Sequence, residues 1–326
     1  MSSVQQQGST IVVVGAGLMG VGVAQTFAQA GHRVVVTDTD QGRRDEVATR
    51  LAAQLDFMVL HDLIGAEAAA GAAGLVATAS SIVEALAPAT QGRAPYPLMV
   101  VEAVNEDLAL KQRLFAELDA STPPTTILCS NTSGLSITQI ARDTVSPERV
   151  CGAHFWNPPH LIPLVEVVYG ESTSDSTADL VVSLLEDAGK TPVRVRRDVP
   201  GFVGNRLQHA LQREAMALVA AGVATAEEVD LVVTQGFGRR LGVVGPLAVC
   251  DMCGLDLILQ VDSYLLRNLE SSPEPSPLLA ELVSEGAVGV RSHRGFLEWD
   301  EKRVTSMIAA RDAALIAALK ARDAKA

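Results

Sequence analysis

Between residues 10 and 200 the chain alternates short β-branched runs with longer amphipathic stretches. The apolar runs are Ile11–Val14, Val34–Thr37, Leu98–Val101, Thr126–Cys129, Val150–Ala153, Leu164–Val168 and Val193–Val195. Stretches with helical spacing, such as Leu108–Leu118 and Thr177–Ala188, lie between several of them. Such alternation predicts a mostly parallel, doubly wound α/β sheet covered on both faces. After Pro200 the texture changes to long helical patterns at 202–222, 226–235, 255–269 and 301–322. The expected organisation is an α/β domain over residues 1–198 and an all-α domain over 199–326. Pro88–Pro97 reads as a surface loop and Ser271–Pro277 as an interhelical one.

Composition narrows this picture. A chain of 326 residues exceeds what one core usually supports, and 48 % apolar residues are ample for two. The apolar runs are of strand length, well short of the roughly 20 residues of a membrane span. The opening MSSVQQQGST has no charged-then-apolar leader pattern. Cys129, Cys151, Cys250 and Cys253 do not suggest a disulfide scaffold in so long a chain. Cys250 and Cys253 form one C-x-x-C with no second pair, too few ligands for zinc, and are expected in a helix core. Net charge is −12 and the basic residues are scattered, which excludes a nucleic-acid footprint. A cytoplasmic protein acting on a small molecule, with no metal and no membrane or nucleic-acid partner, is expected.

The first apolar run leads directly into Gly15-Ala16-Gly17-Leu18-Met19-Gly20 and then a helical stretch to Ala30. Gly15 suits the tight turn, Gly17 lets the backbone approach a pyrophosphate, and Gly20 lets the helix pack closely on the strand. The anion would meet N–H groups at the helix N-terminus, around Leu18 and Met19. The next strand ends in Asp38, placed to accept hydrogen bonds from an adenosine ribose and to repel a 2′-phosphate. Thr39 and Asp40 follow rather than an arginine, so NAD is preferred over NADP. The first domain is therefore of the Rossmann type.

Hydride removal from a secondary alcohol needs a base for the hydroxyl proton, and histidine suits this near neutral pH. His154 lies at the carboxyl end of the run Val150–Ala153, where open α/β sheets bind ligands. Glu166 falls in the next run and is placed to orient the imidazole. Ser130-Asn131-Thr132-Ser133-Gly134 follows another strand and offers small polar groups to nicotinamide and substrate, or simply caps a helix. Asn205, in Pro200-Gly201-Phe202-Val203-Gly204-Asn205-Arg206, is placed to enter the cleft from the second domain, or is a surface amide.

Taken in order, these segments resemble the 3-hydroxyacyl-CoA dehydrogenase family over roughly residues 10–300. The motifs are G-A-G-L-M-G, the run E-A-V-N-E-D-L-A-L-K at 102–111, S-N-T-S, H-F-W-N-P, L-V-E-V, P-G-F-V-G-N-R and G-P-L near 245. The resemblance implies that His154 is the general base and Glu166 its orienting carboxylate. It implies that Ser133 and Asn205 hold the substrate oxygen and that Glu106, Lys111 and Asn157 face the cofactor. It further implies a homodimer formed through the helical domain. A hydroxyisobutyrate-type enzyme would instead carry a catalytic lysine in the interdomain helix, where this chain has Arg206 and Arg213; Lys190 is expected to be solvated.

One segment departs from the family pattern. Residues 51–91, where acyl-CoA enzymes gather cations for the CoA phosphates, contain no lysine or arginine. The Asn157–Leu164 segment resembles that of compact-substrate relatives, of the lambda-crystallin/gulonate, carnitine and pyridine-alcohol dehydrogenase types, and the resemblance implies that the 301–322 helix extends beyond the short acyl-CoA enzymes. The expected substrate is a compact hydroxy-carboxylate or related polar alcohol, with Arg206, Arg239 or Arg240 as its carboxylate partner. A 3-hydroxyacyl-CoA such as (S)-3-hydroxybutyryl-CoA is the alternative, and a non-catalytic NAD-binding structural or sensor protein the remote one.

Overall fold

The computed structural model describes residues 9–90 and 99–323. Eight strands form one sheet: β1 (Thr10–Val14), β2 (Arg33–Thr37), β3 (Val76–Ala79), β4 (Met99–Glu102), β5 (Ile127–Ser130), β6 (Val150–Phe155), β7 (Leu164–Tyr169) and β8 (Thr191–Val195). Their order is β3-β2-β1-β4-β5-β6-β7-β8. All neighbours pair in parallel except β6 and β7. Successive side chains of a strand point to opposite faces, and both faces here are covered. Ile11 and Val13 of β1 pack with Val21, Phe27 and Val181 in one core, whereas Val12 and Val14 pack with Phe115, Leu118 and Ile140 in the other. That is why the central strands read as uninterrupted apolar runs.

Three differences from the sequence expectation have simple causes. Strand β3 is absent from the predicted set because Val76-Ala-Thr-Ala is small and half exposed at the sheet edge. Strand β6 runs on to Phe155, so His154 stands inside it rather than beyond its end. The antiparallel turn from β6 to β7 follows from the connection 156–163, which is too short for the dozen or more residues a parallel crossover needs. The expected loop at 88–97 is helical at its start, since the helix Ile82–Thr90 includes Pro88–Thr90; its remainder lies outside the described residues.

Backbone packing separates two compact units between Asn205 and Arg206, where the sequence reading set the boundary near residue 198. The second unit is helical, with principal helices Ala226–Gln235, Pro246–Cys253, Leu255–Leu265, Pro277–Ser284 and Glu301–Asp323. Thr225 and Glu228 form a reciprocal capping box at the start of the first of these. Among its described residues only Ala287, Leu297 and Ile316 are buried apolar side chains, while Leu247, Leu259 and Met252 are each at least 70 % exposed. Cys250 and Cys253 do lie on a helix, but Cys253 is exposed and Cys250 half-buried, so neither is a core residue. No described helix is long and apolar enough to cross a membrane.

Candidate active site

The glycine turn, Asp38 and the 131–134 segment follow the carboxyl ends of β1, β2 and β5, and His154 stands near that of β6, whereas Glu166 lies inside β7 and Lys111 and Asn205 on helices. At the end of β1, Gly15 has φ +112°, and a Cβ there would stand 2.5 Å from the Ala103 carbonyl oxygen. Only glycine occupies that position without strain. A Cβ on Gly20 would lie 1.8 Å from the Gly15 oxygen, so this glycine is what lets the helix Leu18–Gln29 sit against the turn. Gly17 differs: a Cβ there would meet nothing within 4 Å. It leaves open space beside a helix N-terminus that has no side-chain cap. Leu18 is exposed and Met19 packs against the core. Room, uncapped first-turn N–H groups and a favourable helix dipole fit a pyrophosphate. Asp38 follows β2, with Oδ2 accepting from Ala16 N at 2.8 Å and Oδ1 from Asp40 N at 2.9 Å. The carboxylate is thus fixed against the glycine turn, where a ribose hydroxyl would reach it.

A buried ionic group links β4, β5 and the helix Leu108–Ser121. Glu102 is fully buried; its carboxylate accepts from Lys111 Nζ at 2.5 Å, Ser130 Oγ at 2.6 Å and Val104 N at 2.7 Å. Lys111 is 1 % exposed, and its ammonium also lies 3.4 Å from Glu106 Oε2. Lys111 therefore reaches the site surface only through Glu106. The other Glu106 oxygen accepts from Thr132 Oγ1 at 2.5 Å and Ser133 N at 2.9 Å. Asn205 Nδ2 donates to the Ser133 carbonyl at 2.5 Å. Asn205, expected in the second domain, groups with the first unit. Ser133 itself is exposed, as is Asn157 in the 156–163 connection. Sequence reading passed over Glu102 although it opens the quoted E-A-V-N-E run; the signal was an acidic residue closing a fully apolar strand.

His154 and Glu166 face each other across the antiparallel β6–β7 ladder. His154 Nδ1 lies 2.8 Å from Glu166 Oε2, and both side chains are nearly buried. The second carboxylate oxygen, Oε1, accepts from the N–H groups of Val203 and Gly204, each at 3.0 Å. Burial pushes the Glu166 carboxyl up, but the bonds from His154, Gly204 and Val203 and the nearby imidazole outweigh it, leaving it below the ordinary range. An ionised carboxylate only accepts, so Nδ1 is assigned the proton and Nε2 is left as the basic nitrogen. Trp156 and Phe202 stand against the imidazole with ring centroids 5.3 and 5.8 Å away. Trp156 has room because Gly204 has no side chain; a Cβ there would be 2.2 Å from Trp156 Cζ2. Lys190 is not solvated as expected: its Nζ donates to the carbonyls of Pro159 and Ile162 and ties down the 156–163 connection.

From His154 to Glu102 the polar groups form one connected system, with Val203–Asn205 as the link between Glu166 and Ser133. It can orient a neutral imidazole and hold a hydroxyl-bearing substrate beside the open face of the glycine turn. Residues 10–199 match the family model for the 3-hydroxyacyl-CoA dehydrogenase NAD-binding domain, and residues 201–299 match that for its C-terminal domain. A 5-formyl-3-hydroxy-2-methylpyridine 4-carboxylate 5-dehydrogenase from Mesorhizobium japonicum is 33 % identical, covering 94 % of this chain and 96 % of its own. A probable 3-hydroxybutyryl-CoA dehydrogenase from Bacillus subtilis is 40 % identical, covering 90 % and 98 %. A crystal structure of the pyridine carboxylic acid 5-dehydrogenase, described as an NAD+-dependent dismutase, superposes with a TM-score of 0.85 at 32 % identity, covering 95 % and 97 %. The chain belongs to the 3-hydroxyacyl-CoA dehydrogenase family and is an NAD-dependent dehydrogenase.

Proposed function

We propose that this enzyme oxidises the hydroxyl-bearing carbon of a compact hydroxy-carboxylate or related polar alcohol, with His154 as general base. The observation that carries the catalytic assignment is the 2.8 Å contact between His154 Nδ1 and Glu166. Glu166 fixes the tautomer and stabilises the imidazolium formed when Nε2 takes the substrate's hydroxyl proton. Ser133 and Asn205 hold the substrate oxygen, and Trp156 and Phe202 exclude water from the imidazole. Gly15, Gly17, Leu18, Met19, Gly20 and Asp38 would hold NAD, with Glu106 and Asn157 on the nicotinamide side and buried Lys111 behind Glu106; when bound, NAD would supply the hydride acceptor.

The substrate class rests on charge. The hairpin of helices Val47–Leu60 and Ala66–Ala73 has no lysine or arginine from residue 51 onward. Its exposed positions are largely small residues together with Asp56, Asp62 and Glu67. Beyond Arg50, which pairs with Glu46, a phosphate-rich carrier would meet no lysine or arginine on this hairpin and three carboxylates. The helix Glu301–Asp323 also lies outside the segment matched by the C-terminal family model. A second reading, a 3-hydroxyacyl-CoA substrate, is favoured by the 40 % identity to the Bacillus subtilis relative. We weigh the local charge more heavily, because identity spread over a common fold does not report on one ligand. Screening the purified enzyme with NAD against 3-hydroxybutyryl-CoA, carnitine, gulonate and pyridine alcohols, by NADH formation, separates the two. A kcat/KM highest on the CoA ester would overturn the compact-substrate reading.

The same reading makes the enzyme a homodimer through its helical unit, whose apolar side chains, Leu247, Met252 and Leu259 among them, are left exposed within one chain. Light scattering should give twice the chain mass.

A further inference from the structure

The acidic end of β2 has two arginines around it, one turn beyond the positions that directly follow Asp38. Arg43 places Nη1 3.9 Å from Asp38 Oδ2 and Nε 3.9 Å from Asp40 Oδ2, and its side chain is 50 % exposed. Arg44 donates through Nη1 to the Asp38 carbonyl oxygen at 2.6 Å. Asp40 caps the short helix Gln41–Asp45 that carries both arginines, accepting from Arg43 N. Arg44 has a further anionic neighbour in Glu84, whose carboxyl is lowered first by bonds from the Ser80 hydroxyl and N–H, with a smaller contribution from Arg44. Arg43 is thus the more available of the two.

Guanidinium groups are the natural partners of a phosphate, which accepts paired N–H donors. Asp38, Asp40 and Glu84 together outweigh Arg43 and Arg44 in formal charge, so an incoming phosphate dianion meets no net attraction. We infer that the choice of NAD over NADP rests on Asp38, which masks a 2′-phosphate site already built from Arg43 and Arg44. Removing the Asp38 charge releases Arg43 Nη1 as a donor and brings the local balance from negative to neutral. The preference is then held by one side chain set among two guanidinium donors, rather than by a lack of partners for a phosphate. This inference rests on the reading that Asp38 marks the ribose end of the cofactor site.

Calorimetric titration of the full-length protein with 2′,5′-ADP, 5′-ADP and NAD tests both statements separately. The variants are Asp38→Ser, Asp38→Asn, and Asp38→Ser combined with Arg43→Ala or with Arg44→Ala. Asp38→Asn keeps an oxygen for the Ala16 N–H and guards against loss of the turn. Charge-assisted bonds to phosphate predict at least about a tenfold gain in 2′,5′-ADP affinity for both single variants over wild type. That gain should be lost when Arg43→Ala is added and reduced with Arg44→Ala, and NAD should bind more weakly throughout. Weakened NAD with no gain for 2′,5′-ADP overturns the arginine site while leaving the ribose reading in place. A gain that survives loss of Arg43 also overturns it. Unchanged NAD affinity in both single variants overturns the ribose reading, and the inference with it.

Discussion

His154 and Glu166 occupy opposed positions on neighbouring antiparallel strands, which fixes their contact through the backbone ladder and not through side-chain reach alone. Both residues sit on rigid, buried strands, so the imidazole loses little freedom when substrate arrives. Glu166 in turn is held by two backbone N–H groups at the start of the helix Gly204–Ala220.

Replacing Glu166 by Gln removes the obligate acceptor while keeping the shape. An amide can donate to Nδ1, so the tautomer with a basic Nε2 is no longer enforced. Glu166→Gln should lower kcat by about 10²-fold or more, by analogy with carboxylates that orient histidine elsewhere. NAD affinity should be unchanged, which steady-state kinetics and cofactor titration measure separately.

Gly204→Ala tests how Trp156 is held. The added methyl would stand 2.2 Å from the indole, so Trp156 must move, and it is one of the two rings against His154. Overpacking of this kind costs about 1–3 kcal/mol. The melting temperature should fall accordingly, and kcat should fall further than that of a Gly17→Ala control, whose Cβ meets no protein atom. The control should instead weaken NAD.

Away from the site, Arg149 is a buried arginine bonded to Asp119 at 2.5 and 3.0 Å, as well as to Thr122 Oγ1 and the Thr126 carbonyl. Burial pushes the Asp119 carboxyl up, but Arg149 and the N–H groups of Val145 and Ser146 more than offset this, so it lies below the ordinary range. A depressed folded-state value means the stabilisation is complete above the unfolded Asp value, about 3.9, and is lost as pH falls through the folded one. Asp119→Asn should therefore lower the melting temperature by a constant amount from pH 6 to 8. The gap to wild type should narrow below about pH 4, as thermal melts across that range will record.

Much of this was legible along the chain. The glycine turn, Asp38, His154 and Glu166 each announce themselves because a strand end is visible as the close of an apolar run. Glu102 was not, since its meaning depends on Lys111 and Ser130 converging on it from a helix and a neighbouring strand. The two arginines at Asp38 escaped for a similar reason: a helical turn, not adjacency, brings Arg43 back to the carboxylate. Strand β3 is hidden by its composition, and the reversal at β7 is written in the length of the 156–163 connection rather than in any residue type. Local pattern reports burial well, whereas side-chain convergence is set by topology.

The central claim is that His154 takes the substrate proton. The decisive measurement is turnover of His154→Ala on the best substrate of the screen, read as NADH formation, together with its NAD dissociation constant. Loss of a general base predicts a fall in kcat of about 10²–10⁴ with NAD affinity within about twofold of wild type. Turnover equal to wild type, or a loss explained entirely by weaker NAD binding, would contradict it.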